Sequence, residues 1–312
     1  MINNSRLAVV IPAYKLTYFK ETLESLANQK CKDFTVYIGD DASPEDLKAL
    51  IDTYRDKIKI VYKRFDENLG GKDLVAHWER CINLTNGEDW LWLFSDDDIM
   101  DASCVENFYA CMTQVCDAEL FHFDLNFIDH GGFVTKTCSP FPEYMSVVEF
   151  FDRRVGFKIN STVVEYIFNR KAYERAGGFK NNDMAWCSDD ASWIRMGSKS
   201  GIVTVPGSIV YWRDGGLNIS SNVKDRAVVL RKVQANVDHI NWAAGYFKDN
   251  KLKSSLSRFA KLKWVISTIV VSPAFTFNEK YSIALNAASQ LGSGNVRFRL
   301  YAYLTYRKLK ST

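Results

Sequence analysis

The sequence predicts an α/β protein: a mostly parallel sheet flanked by helices, with a helical appendage at the C-terminal end. Short apolar runs alternate with segments of helical periodicity through the first part of the chain. Such strand–helix alternation is typical of a parallel sheet with helices on both faces. After about Val223 the chain becomes helical and basic to its end.

The elements of the first part follow in a regular order. Each apolar run is short and ends at residues that favour a turn, such as Pro12 or Gly39. The predicted strands cover residues 7–11, 34–38, 58–62 and 89–94, and the predicted helices cover 18–29, 44–54 and 72–84.

The second part has longer β-rich runs, beginning at Glu119. The clearest of these are ELFHFDLNFI, VVEYIFN (163–169) and IVTV (202–205). We therefore expect an α/β domain over residues 1–222, divided near residue 118, and a helical, basic region over residues 223–312.

The net charge, the cysteine spacing and the lengths of the apolar runs argue against several classes of protein. A net charge of +3 is too small to indicate a nucleic-acid partner, and we expect none. The seven cysteines show no zinc-ligand spacing, which favours reduced thiols. The apolar run at residues 7–11 is too short for a signal peptide, and the run at residues 264–271 is too short to span a membrane. We expect a cytoplasmic protein, with contact to the inner face of the membrane left open.

Two acidic clusters follow predicted strands. In an open parallel sheet, ligands bind at the carboxyl ends of the strands, where Asp40-Asp41 and Ser95-Asp96-Asp97-Asp98 fall. Asp40-Asp41 alone is equally typical of a simple turn. The second cluster directly follows the very apolar WLWLF, and three crowded carboxylates indicate a hard divalent cation, Mg²⁺ or Mn²⁺.

Several short motifs together resemble those of family 2 glycosyltransferases. In order they are VVIPAYK (9–15), LESLANQ (23–29), VYIGDDAS (36–43), ENLGG (67–71), FSDDD (94–98), AGGFKNN (176–182), SDD (188–190) and YWRDGG (211–216). The resemblance covers about residues 5–221 and implies a GT-A fold. The nucleotide-binding half would then be residues 1–118 and the acceptor half residues 119–222.

The resemblance implies roles on the nucleotide side. Pro12, Ala13 and Tyr14 would lie along the nucleotide, and Asp41 would accept the N3–H of a uracil base. Asp96 would touch the ribose, or the metal through water, and Asp97 would bind the metal directly. Ser95 stands where many members have the first Asp of the Asp-x-Asp motif, which leaves open which carboxylates ligate.

Lys72, near this group, has two interpretations. Lys72 follows the Asn68–Gly71 turn, and the resemblance would give it a base or phosphate contact. A solvated lysine at a helix N-terminus is the alternative.

The same resemblance implies an acceptor side. Gly177-Gly178-Phe179 would turn the chain before an acceptor loop, and Asp189 and Asp190 would open the next helix as catalytic residues; a helix cap is the alternative. Arg213 would contact the diphosphate. Many relatives have a His shortly after this Arg, whereas this chain has Asp214-Gly215-Gly216.

The implied reaction is transfer of a sugar from a nucleotide diphosphate, most simply a UDP-sugar, to an acceptor hydroxyl. Inversion at the anomeric carbon would follow from one displacement, with Asp190 as general base and a metal on Asp97. The acceptor would be a saccharide or lipid-linked saccharide in surface polysaccharide synthesis. The alternatives are a nucleotidyltransferase, which lacks its Gly-rich loop after the first strand here, and a non-catalytic nucleotide- or sugar-binding module.

The tail has amphipathic character. Residues 251–270 predict one basic amphipathic helix, and residues 295–312 carry five Lys or Arg and no acid. A basic amphipathic helix over residues 251–270 would either lie on an anionic membrane or pack against the protein or a second subunit, and the pattern does not choose between these. Over residues 296–310 Arg and aromatic residues mix around the predicted helix, which favours partial packing over a simple membrane face.

Overall fold

The computed structural model describes residues 6–216 and 221–310. The chain divides into two compact units. The first, here called the sheet unit, extends to Val147 and also contains Ile159–Asn181 and Ser188–Gly215. The second, here called the helical unit, contains Val148–Lys158, Asn182–Cys187 and the chain from Gly216 onward.

In the described part of the sheet unit, ten strands form one sheet. They are β1 (Leu7–Ala13), β2 (Phe34–Asp40), β3 (Ile60–Arg64), β4 (Trp90–Leu93), β5 (Ile99–Met100), β6 (Leu120–Ile128), β7 (Val134–Thr137), β8 (Tyr144–Met145), β9 (Tyr166–Asn169) and β10 (Ile202–Arg213). The strand order is β3-β2-β1-β4-β9-β6-β10-β5, with β7 beside β6 and β8 beside β10.

Helices connect these strands. They are α1 (Phe19–Ala27), α2 (Leu47–Asp52), α3 (Leu74–Ile82), α4 (Cys104–Gln114), α5 (Val147–Val155), α6 (Arg170–Ala176) and α7 (Ser188–Met196). All but the first residue of α5 belong to the helical unit. The elements predicted for the first part of the chain are therefore present, with their ends shifted by a few residues.

The parallel part of the sheet consists of β1 to β4. Every residue of β2 and β4 is buried, as expected for strands covered on both faces. In the register of β1, Ala13 lies opposite Asp40, and Val10 lies opposite Leu93. The carboxyl ends of β1, β2 and β4 therefore meet at one edge of the sheet.

The other half of the sheet is mixed, which the strand–helix alternation did not predict. Strand β9 runs antiparallel to both β4 and β6. Strand β10 joins the predicted IVTV strand to the later IVYW run across a shift of register between Val205 and Ile209. Gly207 within that irregularity has φ +75°, a conformation that glycine adopts without strain.

Aromatic residues fill much of the core. Trp92 is fully buried, stacks on Phe123 with ring centroids 5.0 Å apart, and donates from Nε1 to the carbonyl of Val164 at 2.6 Å. Trp193 stacks on Tyr166 with centroids 4.5 Å apart. The high aromatic content of the sequence is thus used largely for packing.

The helical unit contains five further helices among its described residues. They are α8 (Arg226–Asp249), α9 (Arg258–Val265), α10 (Ser267–Val271), α11 (Phe277–Gln290) and α12 (Arg297–Lys310). The single helix predicted over residues 251–270 is wrong. The chain is not helical from residue 252 to 257. Leu262 and Val265 of α9 and Ile269 of α10 are 0% exposed, whereas Val271 at the end of α10 is 56% exposed.

For this segment the structure shows packing within the helical unit, and contact with a membrane or with a second subunit stays a prediction. Apolar side chains spaced along a buried pair of short helices give the same periodicity as a membrane-facing helix. Across residues 6–216 and 221–310, no helix is long and apolar enough to cross a membrane.

Candidate active site

Three successive aspartates follow β4, and their carboxylates differ in burial and in hydrogen-bond partners. Asp96 turns back toward β1, where its Oδ2 accepts hydrogen bonds from the backbone N–H of Tyr14 at 2.7 Å and of Lys15 at 2.8 Å. Burial raises the pKa of Asp96 to about 6, and the charge of Asp97 adds to this. Asp96 therefore ties the loop after β1 to the loop after β4.

Asp98 is also turned into the protein. Its Oδ1 accepts the backbone N–H of Arg213 at 2.6 Å, and its main-chain carbonyl accepts the hydroxyl of Thr22 at 2.8 Å. Burial raises its pKa well above the usual aspartate value. Like Asp96, this carboxylate fixes the shape of the turn.

Asp97 is the member of the three that remains partly exposed. Ser95 donates its hydroxyl to Oδ1 of Asp97, so the serine that replaces the first Asp of the motif orients the carboxylate that follows. The side chain of Asp97 is thus presented at the sheet edge formed by the ends of β1, β2 and β4.

A divalent cation fits this arrangement if the donor supplies most of its ligands. In residues 6–216 and 221–310, no group of three or more His, Cys, Asp or Glu side chains could hold a metal ion. Mg²⁺ is commonly bound by one or two carboxylates together with substrate phosphates and water. Asp97 is the described residue best placed to be such a carboxylate, since Asp96 is engaged by two backbone amides.

The acidic pair after β2 is anchored within the protein. Asp40 is fully buried; its Oδ1 accepts the backbone N–H of Ser43 at 2.8 Å, and its Oδ2 accepts from Tyr62 at 2.6 Å and from Arg64 at 2.9 Å. Bonding to the backbone three residues ahead is the behaviour of a turn-forming aspartate.

Asp41 fastens the loop Glu67–Gly71 to the end of β2. Its two oxygens accept the backbone N–H groups of Leu69 and Gly70, each at 2.8 Å, and Oδ1 also contacts Arg80. A Cβ on Gly70 would lie 2.7 Å from Oδ2 of Asp41, so glycine is needed for this approach. A carboxylate has about four lone-pair sites. The predicted contact with the base through Asp41 stays a prediction.

The other residues that are predicted to contact the nucleotide differ in how far they are exposed to solvent. Tyr14 is 39% exposed at the carboxyl end of β1, whereas Ala13 is fully buried and its carbonyl accepts the backbone N–H of Asp41 at 2.9 Å. Pro12 is partly buried beside them. Lys72 is exposed and pairs with Glu67 at 3.2 Å, an arrangement typical of a solvated lysine.

Arg213 lies beneath the Asp97 turn. Its side chain is 0% exposed; Nε donates to the carbonyl of Asp97 at 2.9 Å, Nη1 donates to the carbonyl of Asp129 at 2.9 Å, and Nη2 pairs with Glu21. The guanidinium also lies over the ring of Tyr18, 4.4 Å from its centroid. This geometry favours a positioning role for Arg213 over the diphosphate contact that the resemblance implies.

The second motif group lies at the start of α7. Gly177 and Gly178 both have positive φ, +71° and +80°, and carry the chain from α6 into the turn where the backbone N–H of Phe179 donates to Glu79 at 2.6 Å. Asp189 and Asp190 lie inside the first turn of α7, not at the residue before it. Asp189 is partly exposed and Asp190 is 1% exposed.

Glu165 joins the two acidic groups and was not predicted from the sequence. It is fully buried, and its carboxylate accepts the backbone N–H of Thr162 at 2.7 Å and the hydroxyl of the same residue. Burial raises the pKa of Glu165 to about 8, and the nearby charge of Asp189 adds to this. The charge of Glu165 in turn raises the pKa of Asp98.

A line of carboxyl groups therefore runs from the turn after β4 to the start of α7. The one sequence signal for Glu165 was an acidic residue beside the apolar YIF run of a predicted strand. The histidines contribute no ligand set. His122, for example, is buried against Phe141 with ring centroids 3.6 Å apart.

We expect Arg213→Lys to lower the free energy of unfolding by about 3 kcal/mol, because the main-chain carbonyls of Asp97 and Asp129 lose their guanidinium donors around a fully buried cation. Urea unfolding without nucleotide measures this. Arg6→Lys is the control, since Arg6 is exposed beside Asp89 and should change stability by less than about 0.5 kcal/mol. Unchanged stability with weakened UDP binding would instead support the direct diphosphate contact.

We expect Glu165→Gln to gain stability relative to the wild type as pH rises. A buried carboxyl with a raised pKa stabilises the fold in its neutral form, and this contribution is lost as pH rises through about 8. The glutamine has no charge to bury, so the difference should grow between about pH 5 and pH 8 by up to about 1.4 kcal/mol per unit. Parallel stability curves for the two proteins would contradict this, and Glu174→Gln on the exposed side of α6 serves as control.

Comparison with known proteins agrees with this geometry. The sequence model of the family described as Glycosyl transferase family 2 matches residues 8–176, more than half of the chain. An uncharacterized glycosyltransferase of Methanocaldococcus jannaschii is 28% identical over 125 residues, which cover 39% of this chain and 42% of that relative. The match thus spans less than half the length of the curated relative.

Solved structures share the fold over nearly the whole chain. S. aureus TarS 1-349 in complex with UDP-GlcNAc has a TM-score of 0.59 at 12% identity, covering 98% of this chain and 92% of that one. The same TarS fragment with UDP has a TM-score of 0.55 at 14% identity, covering 97% and 87%. The mannosyltransferase PcManGT from Pyrobaculum calidifontis, in complex with GDP-Man and Mn²⁺, has a TM-score of 0.54 at 13% identity, covering 98% and 80%. At such low identity these likenesses establish the fold.

Proposed function

This chain belongs to glycosyl transferase family 2 and has its GT-A fold, and on that premise we propose that it is an inverting, metal-dependent glycosyltransferase that transfers a sugar from a UDP-sugar to an acceptor hydroxyl. The observation that carries the proposal is the partly exposed Asp97, oriented by Ser95 at the carboxyl ends of the parallel strands. The aspartates in the first turn of α7 would be the second acidic group. Asp97 would hold a metal-bound diphosphate, and an aspartate of α7 would accept a proton from the acceptor.

The donor side uses the parallel edge of the sheet. The nucleotide would lie along Pro12 to Tyr14, where the exposed ring of Tyr14 offers a surface for stacking. Asp41, which is 2% exposed and accepts from Leu69 and Gly70, would have to offer a further lone pair to a base N–H. Asp97 would hold Mn²⁺ or Mg²⁺ together with the diphosphate. The metal, when bound, would offset the negative charge that develops on the leaving nucleotide diphosphate.

The chemical step is one displacement. The acceptor oxygen forms a bond to the anomeric carbon as the bond to the UDP oxygen breaks, the bonding electrons leave with UDP, and the configuration inverts. A carboxylate of α7 takes the hydroxyl proton, and we assign this role to Asp190. Asp189 is the more exposed of the pair and is the alternative base.

The cellular compartment and the acceptor that we propose rest on the family resemblance. We propose that the enzyme acts in the cytoplasm on a saccharide or lipid-linked saccharide during synthesis of a surface polysaccharide. The spacing of the seven cysteines in the sequence favours reduced thiols, which is consistent with a reducing compartment. Relatives of the same fold bind UDP-GlcNAc or GDP-Man, and the proposal of a UDP-sugar rests on the base contact assigned to Asp41.

Asp97→Ala is expected to lower transfer by roughly 10²–10³-fold or more, because the charge on the leaving diphosphate would lose the cation that offsets it. The same variant should lose the Mn²⁺-dependent part of UDP affinity, measured by calorimetry with and without the metal, and keep its folded stability. Asp89→Ala, an exposed aspartate paired with Arg6, is the matched control and should behave as wild type.

Two results would contradict the metal role. One is full activity of the wild type in excess chelator. The other is an Asp97→Ala protein whose UDP affinity still rises with Mn²⁺. Tight Mn²⁺-dependent binding of nucleotide sugars by the wild type, with neither transfer nor donor hydrolysis, would support the non-catalytic binding module.

Asp190→Asn is expected to keep its affinity for the nucleotide sugar within a few-fold while losing about 10²–10⁴-fold in turnover, the usual effect of removing a positioned base. Asp189→Asn, one residue away in the same helical turn, is the comparison. A larger loss in Asp189→Asn would move the base to that residue. Loss of donor binding along with turnover in Asp190→Asn would mean that Asp190 binds nucleotide or supports the helix instead.

A further inference from the structure

One helix of the helical unit carries an exposed apolar stripe. Helix α12 docks through Leu300 and Leu304, which are 0% and 4% exposed. On its outer side Phe298 is 86% exposed and Leu309 is 72% exposed, two of the three largest exposed fractions among the bulky apolar side chains described. Ala302 and Thr305 lie between them at helical spacing, so the four side chains share one stripe.

Basic side chains border this stripe on both sides. At 100° per residue, Arg297 and Lys308 fall on one flank and Arg299 and Lys310 fall on the other, and all four are exposed. Each flank also carries a tyrosine, Tyr301 at 54% and Tyr306 at 52% exposure. Residues 280–312 contain no Asp or Glu, so this part of the sequence is strongly basic.

Single exposed apolar residues are normal on protein surfaces and need no explanation. Helix α12 differs from a surface with single exposed apolar residues. Around its circumference the apolar stripe, the tyrosines and the basic flanks follow one another in the order that a helix lying in a membrane interface requires. An interfacial helix places its apolar face at the boundary between headgroups and acyl chains, its aromatic hydroxyls at the headgroups and its cations near anionic lipid.

We propose that the outer face of α12 binds in the plane of an anionic lipid bilayer. Phe298 and Leu309 enter the boundary between headgroups and acyl chains, and the four flanking cations contact lipid phosphates. The proposal involves none of the proposed catalytic residues, so it can fail while the glycosyltransferase proposal stands, and the reverse is also true.

The positive charge of α12 favours an anionic membrane over a second copy of this chain as its binding partner. A symmetric dimer through α12 would place the same surface on both sides of the interface. The basic flanks would then face each other with no acidic partner in the helix, and like charges held close together are destabilising. An anionic surface neutralises both flanks at once.

The test is flotation of the full-length chain with vesicles of phosphatidylcholine containing phosphatidylglycerol, and with vesicles of phosphatidylcholine alone. Binding is expected to the anionic vesicles at low salt and to weaken as salt screens the flanks. Equal binding to both kinds of vesicle, or no binding to the anionic ones at low salt, would overturn the proposal.

Two variants separate the contributions of the helix. Phe298→Ser should weaken vesicle affinity roughly tenfold or more, from the lost burial of one aromatic side chain. The double variant Arg297→Gln with Arg299→Gln should weaken it about 30-fold at low salt, since each cation near an anionic surface contributes about a factor of five. All these side chains are exposed, so UDP affinity should be unchanged and confirms that the variants are folded.

The matched control is Phe133→Ser in the sheet unit, where Phe133 is 73% exposed without a basic border of this kind. Its vesicle affinity should equal that of the wild type. Loss of binding in this control as large as in Phe298→Ser would overturn the assignment to α12. Self-association that Phe298→Ser abolishes, with no vesicle binding by the wild type, would replace the membrane by a second copy.

Discussion

The candidate site depends on how three neighbouring carboxylates are held at the end of one buried strand. Left alone, Asp96, Asp97 and Asp98 would repel one another and would be costly to bury. The chain satisfies the outer two with backbone N–H groups, which carry no net charge: those of Tyr14 and Lys15 for Asp96, and that of Arg213 for Asp98. The negative charge that remains accessible is then concentrated on the middle residue.

The same arrangement explains why a fully buried arginine is tolerated nearby. Burying a guanidinium is favourable only when its donors are satisfied. Arg213 meets this condition largely with main-chain carbonyls, those of Asp97 and Asp129, and with the carboxylate of Glu21. Each of these partners belongs to a different segment of the sheet unit. The arginine therefore fixes the position of the Asp97 turn relative to α1 and to the end of β6, which a surface arginine could not do.

Much of this could be predicted from the sequence, because local patterns determine it. The apolar runs of β1, β2 and β4, and the acidic residues that follow two of them, are sufficient to predict a parallel edge with carboxylates. The antiparallel direction of β9 could not be predicted, since a strand's pattern does not encode its direction. The main-chain contacts of Arg213 could not be predicted for a related reason: they involve carbonyls of distant segments, which leave no trace in residue type. Glu165 looked like an ordinary strand residue, and only its complete burial distinguishes it.

The sparse ligand set has a chemical consequence for how substrate and metal would bind. With a single well-placed carboxylate, a hard cation has little affinity for the free protein, because Mg²⁺ dehydrates reluctantly without several anionic ligands. A diphosphate supplies those ligands, and it also needs a cation to approach an edge already lined by aspartates. Cation and nucleotide would therefore bind interdependently, each lowering the charge that opposes the other. Helix α12 presents the opposite case, four exposed cations with no acidic neighbour in the helix. The net charge of +3 is a sum over the whole chain and describes neither of these two regions.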